Sequence, residues 1–475
     1  MNPRLALLLS TALLLPAMVG ADERVSEASD RTGLSLTLYN EDLALVRERR
    51  EVELPAGVVD LALRGVSGRM QAETALLQDG DGKGDLEVLE QNFNYDLLTP
   101  AKLLEKYLGR EIRIRRTNPA NGEEQTVRAK VLSTQGGLVV RIGDRIETNP
   151  GGRFLFDDIP ADLRDQPTLV TRLKTEGGGR RTLELSYLSG GLSWRADYVA
   201  RLDRDGRRLD LAGWVTLDNR SGTAYRNARL QLVAGDLNRV ATTPPRQRFK
   251  QALAMAEADT AIREEGLFEY HLYSLPRTTD LLDRQTKQVA LLEARNLGVE
   301  KEYLLQGHAY YYRQQGGEPG RRLPVQVWLN FRNDRDNHLG MPLPGGIVRV
   351  YQADRSGSLQ FVGEDRIGHT PEGERVRLRL GNAFDVTATR LQTSWARRDH
   401  GHPYRGAAES GYRIELRNAG GKPVTVTVQE PIPGDWRITR ESLPHAKADA
   451  HTAQWRVEVP ARGRAVLEYG VLVRW

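Results

Sequence analysis

Cysteine is absent from all 475 residues. Its absence excludes disulfide cross-links, thiolate catalysis and Cys-ligated zinc. It also removes the residue that a bacterial lipoprotein needs just after its signal. Without covalent staples, each structural unit must be large enough to be stable by burial alone. A long apolar run is missing after residue 21, so no transmembrane helix is expected in the mature chain. Charge of a single sign is scarce as well: 68 Lys and Arg stand against 63 Asp and Glu, a net of +5. The arginines alternate with apolar residues, as in Glu111-Ile112-Arg113-Ile114-Arg115, which is the pattern of a wet strand face. No basic stripe with interleaved aromatics occurs, so nucleic acid is not an expected partner.

The N-terminus is distinctive. A short basic start, Met1-Asn2-Pro3-Arg4, precedes a Leu-rich stretch over 5–15 and then Val19-Gly20-Ala21. The apolar part is too short to span a bilayer, and the small residues suit a cleavage site. Residues 1–21 therefore read as a signal peptide, and the protein is expected to be exported, periplasmic or secreted.

Period-two alternation dominates the chain beyond residue 21. The expected fold class is mainly β, with multi-domain antiparallel β-sandwiches, a small SH3-like barrel and one or two short helices. Residues 22–109 read as an N-terminal β region ending in a helix over 99–109. There Thr99 suits the N-cap, Pro100 the first turn and Gly109 the left-handed stop. Residues 110–160 hold five short strands with tight turns, the pattern expected of a small barrel. Residues 161–405 read as a central antiparallel β domain, with strands over 182–187, 194–203, 208–219 and 228–234. A linker or helical segment interrupts it near 240–266. Residues 406–475 have an immunoglobulin-like rhythm of short strands.

Candidate sites are few. In Ser189-Gly190-Gly191-Leu192-Ser193-Trp194-Arg195, the glycines either open a close-approach surface, with Arg195 and Asp197 as polar contacts, or form a tight turn with Trp194 in the core. The second reading is preferred, and no serine here sits in a G-x-S-x-G elbow. Glu269, His271 and Tyr273 alternate on one strand face and could supply an acid, a base and an anchor, or simply a polar sheet face. Asp79, Asp81 and Glu90 approximate a calcium loop, but Lys83 occupies a ligand position and a hairpin tip explains the same residues. His400 and His402, with His369 as a third ligand, form a faint metal pair in a charged loop. Glu364 and Asp365 could form half of a glycosidase carboxylate pair. Tyr469, Val471, Val473 and Trp475 alternate to a terminal aromatic, as outer-membrane strands do and as the last strand of a sandwich also does. Asn219-Arg220-Ser221 is a glycosylation sequon in a eukaryotic source. The binding candidates are thus Trp194, Arg195, Asp197, Glu269 and His271; no metal or cofactor is expected, and catalytic residues are unassigned.

The run from Leu185 through Ser189-Gly190-Gly191 and Trp194 to Tyr198 resembles the hallmark of a bacterial exported family, domain of unknown function 4139. Longer relatives in that family are often labelled mucoidy-inhibitor-like. Matching runs are Leu232-Val233-Ala234-Gly235-Asp236, residues 269–276, Leu343-Pro344-Gly345-Gly346, residues 361–371 and 429–436. The resemblance begins near Thr168 and implies a β-rich exported protein with no known activity. The chain lacks the sustained heptads of a coiled-coil insert found in longer relatives. The expected function is a non-catalytic envelope binding or scaffolding protein whose partner is an envelope protein or a glycan. The alternatives are a periplasmic hydrolase of polysaccharide or peptide, with Glu269, His271 and Glu364 in one pocket, and an outer-membrane-associated β protein.

Overall fold

The computed structural model describes residues 23–82, 84, 86–160, 162–235, 263–267, 270–312, 314–316, 321–399 and 401–475. Residues 1–21, expected above to be a signal peptide, and most of the 240–266 segment lie outside these residues; Arg263–Leu267 is a strand. The chain is mainly β, built into five sheets with one α-helix among the described residues.

Three sheets share the first core. An eight-stranded sheet runs in the order Arg263–Leu267, Tyr270–Ser274, Tyr225–Ala234, Arg31–Tyr39, Leu43–Leu54, Gly179–Ser189 and Leu76–Asp79, with Thr279–Leu281 beside Tyr225–Ala234. A four-stranded sheet runs Arg24–Ser26, Gly57–Arg64, Thr168–Thr175, Leu86–Asn94. A five-stranded sheet runs Gln285–Gly298, Arg208–Asn219, Leu192–Leu202, Gly346–Ala353, Leu359–Ile367. Hydrogen-bonded pairing thus crosses the 110–160 segment: Gly57–Arg64 pairs with Thr168–Thr175, and Leu43–Leu54 with Gly179–Ser189. Every second residue of Leu43–Leu54 from Ala44 to Leu54 is buried, as a strand with one covered face requires. Within that row Glu48 and Arg50 replace apolar residues. Arg50 is 1% exposed and pairs with Glu48 at 2.8 Å, while its Nη atoms donate to the Ser26 and Arg64 carbonyls at 2.9 Å. The buried guanidinium therefore ties the eight-stranded sheet to two strands of the four-stranded one. Its charge is matched by Glu48 and both Nη atoms have acceptors, as a buried ion requires, while Nε has none.

The small 110–160 unit is a correction. Its strands run Arg145–Thr148, Val139–Ile142, Glu124–Ser133, Glu111–Thr117, Arg153–Leu155, and the two outer strands do not pair with each other. It is an open sheet, not a closed SH3-like barrel. The helix, Pro100–Lys106, packs beside this sheet. Thr99 caps it by accepting the Lys102 N–H at 3.2 Å, and Tyr107 at its end is buried among Ile112, Ile114, Val131 and Val140. The tyrosine thus contributes to the same small core as the sheet's buried face.

The second core lies inside a nine-stranded sheet: Asp435–Glu441, Gly463–Arg474, Ala407–Asn418, Arg375–Arg398, Arg321–Arg332, Glu300–Gln306, Val424–Pro431, Thr452–Val459, Ala446–Asp449. It curls on itself, so that Trp455 stacks on Tyr469 with centroids 4.6 Å apart. The strands after 406 are interleaved with earlier ones: Ala407–Asn418 pairs with Arg375–Arg398, and Val424–Pro431 runs parallel to Glu300–Gln306. Arg375–Arg398 joins the two cores, with Val376 and Leu378 in the first and Val386 and Ala388 in the second. Tyr469, Val471 and Val473 point into the second core and not toward a lipid-facing exterior. No helix among the described residues is long and apolar enough to cross a membrane.

Candidate binding face on the five-stranded sheet

The strand Leu192–Leu202 organises the site. It begins at a turn in which Gly191 adopts φ +77°, and a Cβ there would meet the Arg220 carbonyl at 2.7 Å. The Asp42 carboxylate accepts the Gly191 N–H at 2.8 Å, and the Arg220 N–H reaches the Gly191 carbonyl at 2.6 Å. This turn sets the register, and strand alternation then sends Trp194, Ala196 and Tyr198 inward and Arg195 and Asp197 outward.

Inside, residues far apart in sequence converge. The Trp194 indole N–H donates to the Val233 carbonyl at 3.2 Å, and its ring lies edge-on to Tyr273, 6.5 Å between centroids. The Tyr273 hydroxyl donates to the Pro342 carbonyl at 3.1 Å and the Tyr198 hydroxyl to that of Pro344 at 2.8 Å. Gly346 lies directly beside Ala196, where a Cβ would overlap the Ala196 carbonyl oxygen. Burial pushes the Tyr198 phenol well above its ordinary range. Trp194 is therefore a core residue, and the arrangement there is packing.

Outside, Asp197 is gripped from three sides. Thr216 Oγ1 donates to its Oδ2 at 2.7 Å, Arg349 Nη1 pairs with Oδ1 at 3.1 Å and Arg195 Nε lies 3.4 Å from Oδ2. Arg349 Nε in turn pairs with Glu364 at 3.2 Å, and the Gln288 amide donates to Thr216 Oγ1 at 3.1 Å. Trp214 stands directly across from Asp197 and is 39% exposed, and the Tyr351 ring meets Phe361 at 5.6 Å on the same sheet. Asp197 and Thr216 are buried beneath their partners, while Arg195, Trp214 and Phe361 are exposed around them.

The other predicted residues do not join it. His271 lies in the eight-stranded sheet opposite Ala234 and shares a strand face with buried Tyr273, on the far side of the five-stranded sheet from Glu364. Glu269 lies outside the described residues. Asp365 accepts the Arg379 N–H at 2.7 Å, so it braces the neighbouring strand and does not pair with Glu364. Asp79 accepts the Asp81 N–H and Asp81 the Thr182 N–H, each at 3.0 Å. The expected hairpin does not form, because Leu76–Asp79 pairs with Gly179–Ser189 and Leu86–Asn94 with Thr168–Thr175, so the loop passes from one sheet to another. Lys83, Asp85 and His400 lie outside the described residues. His369 Nδ1 accepts the Gly345 N–H at 3.1 Å, while His402 is exposed. Asn219 is fully buried and its amide donates to the carbonyls of Thr223 and Leu282 at 2.9 Å, so the sequon is closed. The residues that sequence reasoning missed are Trp214, Thr216, Gln288 and Arg349. Arg349 carried a faint signal as the polar residue between Ile347 and Tyr351 on an alternating strand.

These features define a mainly β protein of several sheets, one of which carries an ordered cluster of polar and aromatic side chains on its outer face. The model of the family described as a domain of unknown function (DUF4139) matches residues 183–475, well over half of the chain. The chain belongs to that family. Among curated proteins, none matches the sequence.

Proposed function

We propose that this is a bacterial exported protein that acts without catalysis, binding or scaffolding a component of the cell envelope through the outer face of the five-stranded sheet. The observation that carries the reading is Asp197. A carboxylate of 11% side-chain exposure is held by a hydroxyl and two guanidinium groups beside an exposed tryptophan and an exposed arginine. Such a group is preorganised for contact, and an ordered polar face costs less side-chain entropy on binding than a mobile one. The export part rests on the apolar run of residues 5–15 and on the resemblance to exported relatives. The hydrolase reading loses its support where His271 and Glu364 stand on opposite sides of one sheet.

The test is in-cell photo-crosslinking with a reactive amino acid at position 195, and a second at Arg180 on the eight-stranded sheet as the control. Specific capture from position 195 in an envelope fraction is expected. Equal capture at both positions, or a full-length unprocessed chain in the cytosol, would defeat the reading.

A further inference from the structure

We infer that the outer face of the five-stranded sheet binds an uncharged polysaccharide chain. This rests on the binding reading above and names its ligand. A sugar ring offers an apolar C–H face and a rim of neighbouring hydroxyls. The first calls for an open aromatic ring, the second for donors and acceptors fixed close together.

Both are present. Trp214 sits mid-strand, not at a sheet edge, with Ala212 two residues before it and exposed Ala290 opposite, so small neighbours leave its ring uncovered. Tyr351 and Phe361 form a second aromatic station, with Phe361 56% exposed. The register fixes their separation. Trp214 faces Asp197, Asp197 faces Ile347, and Tyr351 lies four residues further along that strand. Two strand spacings across and four residues along give about 16 Å, the length of a few linked sugar rings. Arg349 and Glu364 lie between the stations, level with Val199, and Arg195 flanks Trp214 on the side away from Tyr351. Arg349 spends Nη1 on Asp197 and Nε on Glu364, and Arg195 engages Asp197 through Nε. Guanidinium N–H groups therefore project from the face beside Glu364, which is 51% exposed and can accept. That mixture suits adjacent hydroxyls, each of which donates and accepts.

Other ligand classes fit less well. The guanidinium groups of Arg195 and Arg349 are balanced by Asp197 and Glu364, so the face has no net attraction for a polyanion such as nucleic acid. A peptide that adds as a strand needs a free sheet edge, whereas Asp197 and Trp214 lie on strands paired on both sides.

The experiment uses the full folded chain against immobilised and soluble hexasaccharides of β-1,4-linked N-acetylglucosamine, β-1,3- and β-1,4-linked glucose and α-1,4-linked glucose, together with purified peptidoglycan sacculi. Retention on at least one, with a change in tryptophan fluorescence on adding the soluble form, is expected. Trp214→Ala should lower affinity at least tenfold, and Tyr351→Ala and Arg195→Ala severalfold, with Trp214→Phe recovering part of the loss. Melting curves close to the parent's certify that each variant is folded. Failure of every saccharide to bind, or binding unchanged by Trp214→Ala and Tyr351→Ala, overturns the inference. Protein captured from position 195 in cells, with no saccharide bound, overturns the ligand class and leaves the binding face standing. No capture at all removes both.

Discussion

The two faces of the strand Leu192–Leu202 are made of adjacent residues and do different work. On the inner face Trp194, Ala196 and Tyr198 are each fixed by one partner distant in sequence: the Val233 carbonyl, the Gly346 backbone and the Pro344 carbonyl. On the outer face the exposed Arg195 and the mostly covered Asp197 meet other side chains and not backbone carbonyls. The runs that carry the family resemblance, around Trp194, Val233, Tyr273 and Gly346, converge on the inner face. Most of the recognisable sequence here reports how sheets are joined; the run over 361–371 is the exception, because it brings Phe361 and Glu364 to the outer face.

If that division is right, the largest effect belongs to the inner face. Trp194→Ala deletes a 3%-exposed indole and leaves the Val233 carbonyl without its donor. A loss of about 3–5 kcal/mol is expected in urea unfolding; a loss below about 1 kcal/mol would break the comparison. Alkali should attack the same interior. Burial pushes the Tyr225 phenol up to about 12, the nearby Ser221 and Ser67 hydroxyls opposing the rise, and raises Tyr187 and Tyr198 as well. An unfolded phenol ionises near its ordinary value of about 10. Above that pH the native state holds protons that the unfolded chain has lost, so stability is full below pH 10 and falls as pH rises toward 12. Tyr225 alone accounts for about 3 kcal/mol over that interval. Urea midpoints from pH 8 to 11.5 should fall, and Tyr225→Phe should flatten the decline.

Much of the local structure was legible. The strand expected over 208–219 forms over those residues, and the Thr99 cap with Pro100 starts the helix. Pairing was not legible. Gly346–Ala353 lies parallel to Leu192–Leu202 from about 150 residues away, and nothing local to Asp197 announces that Arg349 will reach it. The supposed barrel failed for a related reason. Short alternating strands are the same whether a sheet closes or stays open, and the pairing of its outer strands decides the matter. A further device was present but unread. Asn219, Asn333 and Asn418 each follow an apolar and a charged residue at a strand end, and each buried amide donates to carbonyls of separate loops. The triplets Leu217-Asp218-Asn219, Phe331-Arg332-Asn333 and Leu416-Arg417-Asn418 are spaced irregularly, so a search for a fixed period passes over them.

The outer face should respond more weakly, and in two grades. Thr216→Val removes the hydroxyl between Asp197 and Gln288 at nearly constant volume. Asp197 keeps both guanidinium partners, so a loss of about 1 kcal/mol is expected in urea unfolding. Arg195→Ala should cost least. Its guanidinium is 60% exposed, its contact to Asp197 is 3.4 Å, and Thr216 and Arg349 still hold the carboxylate after it is gone. An exposed pair of this kind contributes little, so the change should stay within about 0.5 kcal/mol. A loss above about 1 kcal/mol would mean that Arg195 anchors Asp197 much as Val233 anchors Trp194. The outer face would then be as structural as the inner one, and the contrast between them would collapse.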